Sequence, residues 1–485
     1  METRVKNRSE VALRLDQPCQ ALSIKIGRGI EMKRKVLLEI VISTVVLITP
    51  VLASSQDIID KSSGLSGQLE NSEFYSNSII KLTLDEAVQL ALRQNPDLLA
   101  IREKTGLARA RAAITRQSTY DPRFELEYEG DKYTANEGVR DLQLGLALTF
   151  ELRGQKGWRK RIGKSGVLSA AGRLKQAEWN LRSRVKVAYY GLQFLKQNIE
   201  LAGKRLEVTQ RLMEVAEARL RSQQIPELQV NFVRLEYHQA SNAFRRISGQ
   251  LPLEHARFAR LLGLPSGARF NTAGEFLPRE TKELNDTTLL QRAITSRGDL
   301  ASLRAELQGA EAQVRLEKAL IWPGADVEFF YRQSDDLAGS GATQQINRDR
   351  FFGLKLSMPL PILSWRSGQI REAESEVKII QARLNALGRE ILVEVSEVAQ
   401  LVRVLREILQ VYKDELSILS EQNLADIERA FVAGEVGMTQ VLRAQDDFVE
   451  VTQNYYEIQY EYLEAEAKLE AIVGPPLSDS GRGAQ

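Results

Sequence analysis

The segment EVKIIQARLNALGREILVEVSEVAQLVRVLREILQVYKDELSILS, residues 376–420, decides the fold. It belongs to a proline-free run from Ile362 to Val473, which is interrupted once, at the glycine-containing segment 433–437. Apolar residues recur at alternating steps of three and four with one slip: Val377, Ile380, Leu384, Leu387, Ile391, Val395, Val398, Val402, Leu405, Leu409, Tyr412, Leu416 and Leu419. This spacing is typical of a coiled-coil seam. One helix from about Arg366 to Ala433 would be roughly 100 Å long, at 1.5 Å per residue.

A second apolar helix follows segment 433–437 and is expected to run back along the first. Its apolar positions are Val441, Leu442, Phe448, Val451, Tyr455, Ile458 and Tyr462. Helices of globular domains usually run about 8–20 residues. A hairpin of this length therefore indicates a protein that bridges a large distance.

Residues 32–53 have the pattern of a secretory signal peptide. Lys33-Arg34-Lys35 precedes an apolar run, and Val51-Leu52-Ala53 ends in a small residue, which predicts cleavage after Ala53. A short buried helix is the alternative. Residues 1–31 fit poorly in front of a signal, so we interpret them as a candidate non-native extension, with Met32 as the alternative start. Cys19 is the only cysteine, so a chain cleaved after Ala53 contains neither a disulfide nor an acylated cysteine.

The charge balance gives no indication of a nucleic-acid partner. The chain contains 66 basic and 64 acidic residues, with a formal net charge of +2. One basic cluster stands out: Lys156, Arg159, Lys160, Arg161 and Lys164. Nucleic acid is one ligand for such a cluster. A helix start beside anionic lipid head groups is the simpler interpretation.

The sequence contains an internal duplication. Six residues of the first copy match six of the second at a constant offset: Ala91, Asp97, Leu98, Arg102, Ala108 and Ala110 correspond to Ala293, Asp299, Leu300, Arg304, Ala310 and Ala312. The helix break at Asn95-Pro96 corresponds to Arg297-Gly298, and Thr83 with Glu86 predicts a capping box. We therefore divide the chain into a linker (54–81), a first repeat (82–278), a second repeat (279–474) and a disordered tail (475–485).

Each repeat contains two predicted strands with one apolar and one polar face. They cover about 123–130 and 140–151 in the first repeat, and about 325–332 and 350–358 in the second. Leu142, Leu144, Leu146, Leu148 and Phe150, for example, alternate with polar or small residues. Period two over such a length indicates a strand whose faces meet different environments. The predicted fold is mainly α, with long duplicated helical hairpins and membrane β-hairpins.

Strands of this length, joined by long polar loops, suit a membrane-spanning barrel. Four strands cannot close one, because about eight are needed for the smallest barrels. Open edges in lipid would leave backbone groups without hydrogen bonds, so we expect strands from several chains to combine. A small soluble sheet on a helical bundle is the alternative, since Glu125, Glu127 and Glu129 also suit bulk water.

No catalytic or metal-binding constellation is recognisable, so we predict a non-enzyme without a cofactor. Gly163-Lys164-Ser165 resembles the end of a phosphate-binding loop, but Trp158 stands where that loop requires glycine. His238 and His255 are the only histidines, and a zinc site needs more ligands at closer spacing. We expect both histidines to lie on the surface or between helices.

The order of these features resembles the TolC-like outer-membrane efflux protein family, over about Lys81 to Val473. The residues that carry the resemblance are Leu84-Asp85-Glu86-Ala87, Ala91-Leu92 and Asn95-Pro96 in the first repeat, and Ala433-Gly434-Glu435-Val436 with Val441-Leu442-Arg443-Ala444-Gln445 in the second. Residues 151–157 are also loosely similar to a segment of the heavy-metal-efflux relatives.

The resemblance implies a homotrimer in the cell outer membrane. Its twelve strands would form one β-barrel, and its helices a tunnel that extends into the periplasm. The tunnel would dock through a periplasmic adaptor (membrane fusion) protein onto an inner-membrane pump such as an RND transporter. The chain would thus be the passive exit channel of a tripartite efflux system. Two alternatives remain, an outlet for type I protein secretion and a soluble periplasmic coiled-coil scaffold.

The hairpin tips are the expected adaptor-docking surface, because they lie farthest from the strands. The candidate residues are Ile225 and Pro226 in the first tip and Gly434, Val436 and Gly437 in the second. We expect the glycines to permit a positive φ and Pro226 to begin the returning helix.

The resemblance also indicates where the tunnel would be constricted. The acidic positions of the family fall on Gln229, Gln440 and Arg443, so an acidic cation gate is in doubt. Asp446 and Asp447 lie about one turn further along and could replace it.

Overall fold

The structure is a computed structural model that describes residues 80–117, 120–130, 140–265, 267–268, 270–274, 276, 285–338, 345–361 and 365–474. The extension (1–31), the signal peptide (32–53) with its cleavage site at Ala53, and the tail (475–485) lie outside the described residues. Most of the expected linker (54–81) does too. Its last two residues belong to a strand, however, so the linker ends earlier than the sequence indicated.

The first half of the chain consists of short helices, a strand hairpin and a long helical hairpin. Its elements are β1 (Ile80–Leu82), α1 (Leu84–Gln94), α2 (Pro96–Ile114), β2 (Arg123–Gly130), β3 (Arg140–Phe150), α3 (Gln155–Arg221), α4 (Glu227–Ser248), α5 (Leu251–Leu262) and β4 (Phe270–Thr272). The helix α3 contains 67 residues and is therefore roughly 100 Å long.

The second half repeats this order. Its elements are α6 (Asp286–Ser296), α7 (Gly298–Ala319), β5 (Ala325–Ala338), β6 (Gln345–Ser357), α8 (Ser367–Val411), α9 (Ser417–Val432) and α10 (Met438–Val473). The predicted fold class, duplicated long hairpins with two strands in each half, is confirmed. Both strands of the second half are longer than predicted, since β5 extends to Ala338 and β6 begins at Gln345.

Local caps set the short helices, and the sequence predicted the first of them, the pair of Thr83 and Glu86. The hydroxyl of Thr83 accepts the N–H of Glu86 at 3.4 Å, and the Glu86 carboxylate accepts the N–H of Thr83 at 2.9 Å. The side chain of Asn95 accepts the N–H of Leu98 at 3.0 Å, which caps α2 as α1 ends. Asn95 is itself buried. Its side-chain amide donates to the carbonyl of Leu261 at 2.9 Å, so its donor group is hydrogen-bonded inside the protein.

The long helix expected from about Arg366 to Ala433 is interrupted by one π-helical turn, Tyr412–Leu416, which lies between α8 and α9. Before this turn the predicted seam packs into the core, and Ile391, Val395 and Val402 are buried. After it Leu419 is exposed, contrary to the seam prediction. A π turn inserts an extra residue into the helical repeat, so the apolar positions beyond it rotate away from the neighbouring helix.

A pair of three-residue strands that the sequence did not predict ties the beginning of the first half to its end. β1 pairs in parallel with β4, and Leu82 lies opposite Thr272. The hydroxyl of Tyr189, from the middle of α3, donates to the carbonyls of Leu82 at 3.1 Å and Ala273 at 2.5 Å. The amide of Gln193 donates to the carbonyl of Gly274 at 3.0 Å. This pair is therefore fixed against the long helix.

The four long strands form one antiparallel sheet in the order β2-β3-β5-β6.

A buried glutamine joins two helices where they meet the sheet. The amide of Gln155, at the start of α3, donates to the carbonyls of Ala319, Trp322 and Pro323 at 3.3, 2.7 and 3.2 Å. These hydrogen bonds therefore hold the end of α7 beside the start of α3.

Candidate functional site: the helical tips and the strand faces

Both helical hairpins end in the same backbone turn. The N–H of Gln224 donates to the carbonyl of Arg219 at 2.9 Å, and the N–H of Glu435 donates to that of Ala430 at the same distance. The preceding residue has a positive φ in each case, 60° at Gln223 and 82° at Gly434. These are the features of a Schellman motif. The positive φ expected at Gly434 is confirmed, whereas the first tip places a glutamine in that conformation.

The returning helices begin in the same way in both tips. Pro226 and Gly437 are the N-cap residues, both with an extended backbone (φ −76° and −85°). Two expectations are therefore wrong: Gly437 has no positive φ, and Pro226 precedes the helix rather than beginning it. The side-chain carbonyl of Gln440 accepts the N–H of Gly437 at 2.7 Å, which satisfies one of the free donors at the start of α10.

The two tips pack against each other through a small apolar cluster. Its buried members are Leu212 and Ala216 of α3, Val230 and Val233 of α4, and Val441 of α10. The guanidinium of Arg219 lies 5.0 Å from the ring centre of Phe431, which joins α3 to α9. Ile225 is half-buried against this cluster, so it supports the tips from within. Pro226, Gly434 and Gly437 are exposed, and Val436 is half-buried.

The three constriction candidates lie on the surface of the same end of the molecule. Gln229 and Gln440 occupy equivalent positions, three residues after Pro226 and Gly437, and both are exposed. Arg443, nearly one turn further along α10, is exposed as well. The structure therefore places Gln229 and Gln440 near the docking candidates.

One of the two alternative acids is already paired. Arg205 of α3 lies 2.7 Å from the carboxylate of Asp446 and 3.4 Å from that of Glu236. This arginine joins α3, α4 and α10 and compensates the charge of Asp446. Asp447 is exposed.

The sheet has one apolar face that the other described residues leave uncovered. Phe124, Leu146, Phe329 and Leu354 lie side by side across the four strands. Their relative exposures are 71, 44, 56 and 64%. Strand residues buried in a protein core would not remain this accessible, so this face is built to contact an apolar surrounding.

The opposite face is polar and contains two glycines whose role the sequence did not reveal. Glu328 is 6% exposed, and its carboxylate lies 3.3 Å from the ammonium of Lys355. A Cβ at Gly145 would come within 2.9 Å of that carboxylate, so glycine leaves the space that Glu328 occupies. Gly353 leaves the corresponding space for the ring of Phe330.

His238 is exposed and His255 is half-buried, and both pack beside aromatic rings. His255 stacks on Phe270 with ring centres 4.8 Å apart, and His238 lies 5.4 Å from Tyr237. Burial and the nearby charge of Lys196 lower the pKa of His255. In the part of the chain that the structure describes, no cluster of His, Cys, Asp or Glu could hold a metal ion. No described helix has the length and apolar content needed to cross a bilayer.

Together, these features define a subunit with long paired helices, two matching tips and an amphipathic sheet whose apolar face is uncovered. Comparison with protein families identifies the class: residues 87–264 and 289–475 match the outer membrane efflux protein family. The chain belongs to this family. It is an outer-membrane efflux channel, a passive conduit rather than an enzyme, and its helices extend into the periplasm.

Solved structures show the same fold. The outer membrane protein VceC of Vibrio cholerae is 17% identical, with a TM-score of 0.63 over 81% of this chain and 97% of that one. The CmeC outer membrane channel of Campylobacter jejuni is 14% identical, with a TM-score of 0.64 over 82% and 87%. The open state of the Neisseria gonorrhoeae MtrE outer membrane channel is 14% identical, with a TM-score of 0.63 over 81% and 89%. A comparison with curated protein sequences gives no match.

Proposed function

We propose that three copies of this chain form the exit channel of a tripartite efflux pump. The observation that carries the proposal is the sheet, in which β2 and β6 are the two edge strands and the apolar face is uncovered. An open edge cannot persist in lipid, because its backbone groups would lack hydrogen-bond partners. Edge-to-edge pairing of β6 with β2 of the next copy removes both edges, and three copies give twelve strands.

Two exposed apolar stripes support contacts between neighbouring subunits along the helices. Leu228, Phe232 and Leu235 follow one another on one side of α4. A second stripe, with three-and-four spacing on α8, consists of Leu401, Val404, Ile408 and Val411. Stripes with this spacing are the usual surface for packing of one helix against another. In a trimer the adjacent copies would cover them.

The paired tips are the proposed docking surface for a periplasmic adaptor, through which an inner-membrane pump delivers its substrates. The tips lie at the end of α3 opposite the sheet, roughly 100 Å away by helix rise. Each subunit has two tips with the same turn, so a trimer would present six similar turns around its axis. In this proposal Pro226, Gly434, Val436 and Gly437 contact the adaptor, and Ile225 holds their shape. The pump determines the cargo.

Gly437→Arg tests the docking role. The residue has a negative φ, and a Cβ there would approach only the flexible side chain of Gln440, at 3.8 Å, so the folded chain accommodates a side chain. In cells that supply the cognate adaptor and pump, Gly437→Arg should abolish export with normal amounts of heat-resistant trimer. Suppressor changes should then arise in the adaptor. Gly368→Arg is the matched control, because Gly368 is exposed near the opposite end of α8 with open space around its Cα.

A cross-linking measurement separates docking from folding. If the chain is processed after Ala53, it contains no native cysteine, so Gly437→Cys provides a unique thiol. We expect this thiol to cross-link to the adaptor, whereas Gly368→Cys should not. Normal export by Gly437→Arg, or equal cross-linking of the two thiols, would contradict docking at the tips. Monomers in the membrane fraction, by contrast, would contradict the trimer.

A further inference from the structure

An open groove of about 1040 Å³ lies on the helices directly below the sheet. It is formed by the start of α3, the end of α7 and the start of α8. Five cationic side chains line it: Arg161, Lys164, Arg315, Lys318 and Lys378. Two carboxylates, those of Glu311 and Glu374, also line it, so the groove has an excess of positive charge.

Most of this positive charge is not compensated. Lys318 forms a salt bridge with Glu374 at 2.7 Å. Among the residues that the structure describes, Lys164, Arg315 and Lys378 form no salt bridge, and all three are exposed. The carboxylate of Glu151 accepts the N–H of Lys156 at 2.8 Å and caps the first turn of α3, so the positive field of the groove comes from its side chains and not from the helix end. The groove is therefore suited to an anion.

The aromatic residues around the groove match the composition of a membrane interface. Three of the four tryptophans, Trp158, Trp322 and Trp365, lie near the junction of sheet and helices. The guanidinium of Arg161 lies 4.5 Å from the ring centre of Trp158, inside the groove, and that of Arg153 lies 5.9 Å from Trp322. Girdles of aromatic residues flank the apolar band of membrane β-structures at both interfaces.

The groove also offers contacts for an apolar chain. Leu168 is an exposed apolar side chain that lines it. Between the sheet and the helices, Leu152 and Leu360 are 54% and 63% exposed. Leu152 lies in the connection from β3 to α3, and Leu360 in the connection from β6 to α8. A ligand with one anionic end and an apolar remainder would contact both the cationic side chains of the groove and these apolar side chains.

We propose that this groove binds the head group of an anionic phospholipid from the periplasmic leaflet. The phosphate would lie among Lys164, Arg315 and Lys378, beside Trp158. The acyl chains would extend along the apolar face of the sheet. Such a lipid would fix the depth of the channel in the membrane. Gln155 joins α3 to the end of α7, so two of the helices that form the groove keep a constant position relative to each other. This inference goes beyond the exit channel itself and depends only on location in the outer membrane.

Fluorescence of Trp158 tests the proposal. Purified full-length protein in dodecyl maltoside is titrated with brominated phosphatidylglycerol, an anionic quencher, or with brominated phosphatidylcholine, which is zwitterionic. We expect phosphatidylglycerol to quench at lower concentration, and Trp158→Phe to remove that difference. Lys164→Gln/Arg315→Gln/Lys378→Gln should raise the half-quenching concentration of phosphatidylglycerol at least about tenfold, because each cation near an anionic lipid contributes substantially to binding.

Arg245→Gln/Arg246→Gln/Lys413→Gln is the matched control, since it removes the same charge from exposed positions outside the groove and should change nothing. Equal quenching by the two lipids in the unmodified protein would overturn the proposal, and this comparison does not depend on folding of any variant. An unchanged triple variant of the groove would overturn it as well. Displacement of the lipid by millimolar sodium phosphate, but not by sodium chloride of equal ionic strength, would show a free-phosphate site instead.

Discussion

Gly172 of α3 and Gly298 of α7 pack backbone against backbone. A Cβ at Gly172 would lie 2.5 Å from the carbonyl oxygen of Gly298 and 2.7 Å from the amide nitrogen of Ser302. A Cβ at Gly298 would likewise collide with the backbone of Gly172. Gly298 is the first residue of α7, at the helix break that repeats Asn95-Pro96. The two glycines thus set how closely the second repeat approaches the long helix of the first.

We predict that Gly172→Ala destabilises the folded protein. The obstructing atoms belong to backbone, so the helices must separate, and overpacking of this kind costs roughly 1–3 kcal/mol. Gly166→Ala is the matched control: it lies in the same helix, is exposed, and has no atom within 4 Å of the added Cβ. It should stabilise α3 by up to about 1 kcal/mol. Thermal unfolding followed by circular dichroism in detergent measures both. Equal effects of the two changes would contradict the close packing.

The two faces of the sheet should respond differently to charge. Leu146 lies between Phe124 and Phe329 on the apolar face, whereas Gln143 lies between Glu127 and Arg332 on the polar face. We predict that Leu146→Arg greatly reduces the amount of channel in the outer membrane, because arginine facing lipid near the bilayer midplane costs roughly 2–4 kcal/mol. Gln143→Arg should leave the amount nearly unchanged. Immunoblots of sarkosyl-insoluble membrane fractions compare them. Equal tolerance would indicate that the apolar face does not contact lipid.

The sequence predicted the features that repeat along one element. The three-and-four spacing of Ile391, Val395 and Val402 predicted the long helix, since every turn carries the same signal. Alternation along the strands predicted both faces for the same reason. The capping pair of Thr83 and Glu86 was recognisable because its members are three residues apart.

Features that depend on distant contacts or on backbone geometry were not predictable from the sequence. The pairing of β1 with β4 joins three-residue segments that are far apart in the chain. The π turn at Tyr412–Leu416 has no glycine or proline to mark it, and the positive φ of Gln223 falls on an unremarkable residue. Gly145 and Gly353 interrupt predicted strands, and only the cross-strand positions of Glu328 and Phe330 explain them.

Processing after Ala53 stays a prediction, because residues 32–53 lie outside the described part of the chain. The basic segment Lys33-Arg34-Lys35 and the small residue at Ala53 predict removal of the leader on export. N-terminal sequencing of protein purified from outer membranes should begin at or near Ser54. Ala53→Pro should block cleavage and leave a longer precursor. A mature chain that retains residues 33–48 would contradict export through a cleaved signal.

The last prediction concerns ion selectivity at the tips. Gln229 and Gln440 are equivalent, exposed and uncharged, and the nearby Asp446 is paired with Arg205. If Gln440 lines the tunnel entrance, Gln440→Asp places three carboxylates around the axis of a trimer. A carboxylate about 10 Å from a monovalent cation attracts it by roughly 0.4 kcal/mol even at the dielectric constant of water. Three of them, which also repel anions, should raise the cation-to-anion permeability ratio about tenfold or more.

Reversal potentials of single channels in planar bilayers, with unequal potassium chloride on the two sides, measure this ratio. Thr439→Asp is the matched control, because it adds the same charge to the first turn of α10 at the neighbouring exposed position. Its side chain leaves the helix in a direction rotated by about 100°, so a carboxylate there should change the ratio less than one at Gln440. Gln229→Asp, at the equivalent position of the first tip, should act in the same direction as Gln440→Asp. No change from Gln440→Asp, or an equal change from Thr439→Asp, would place Gln440 away from the conducting path.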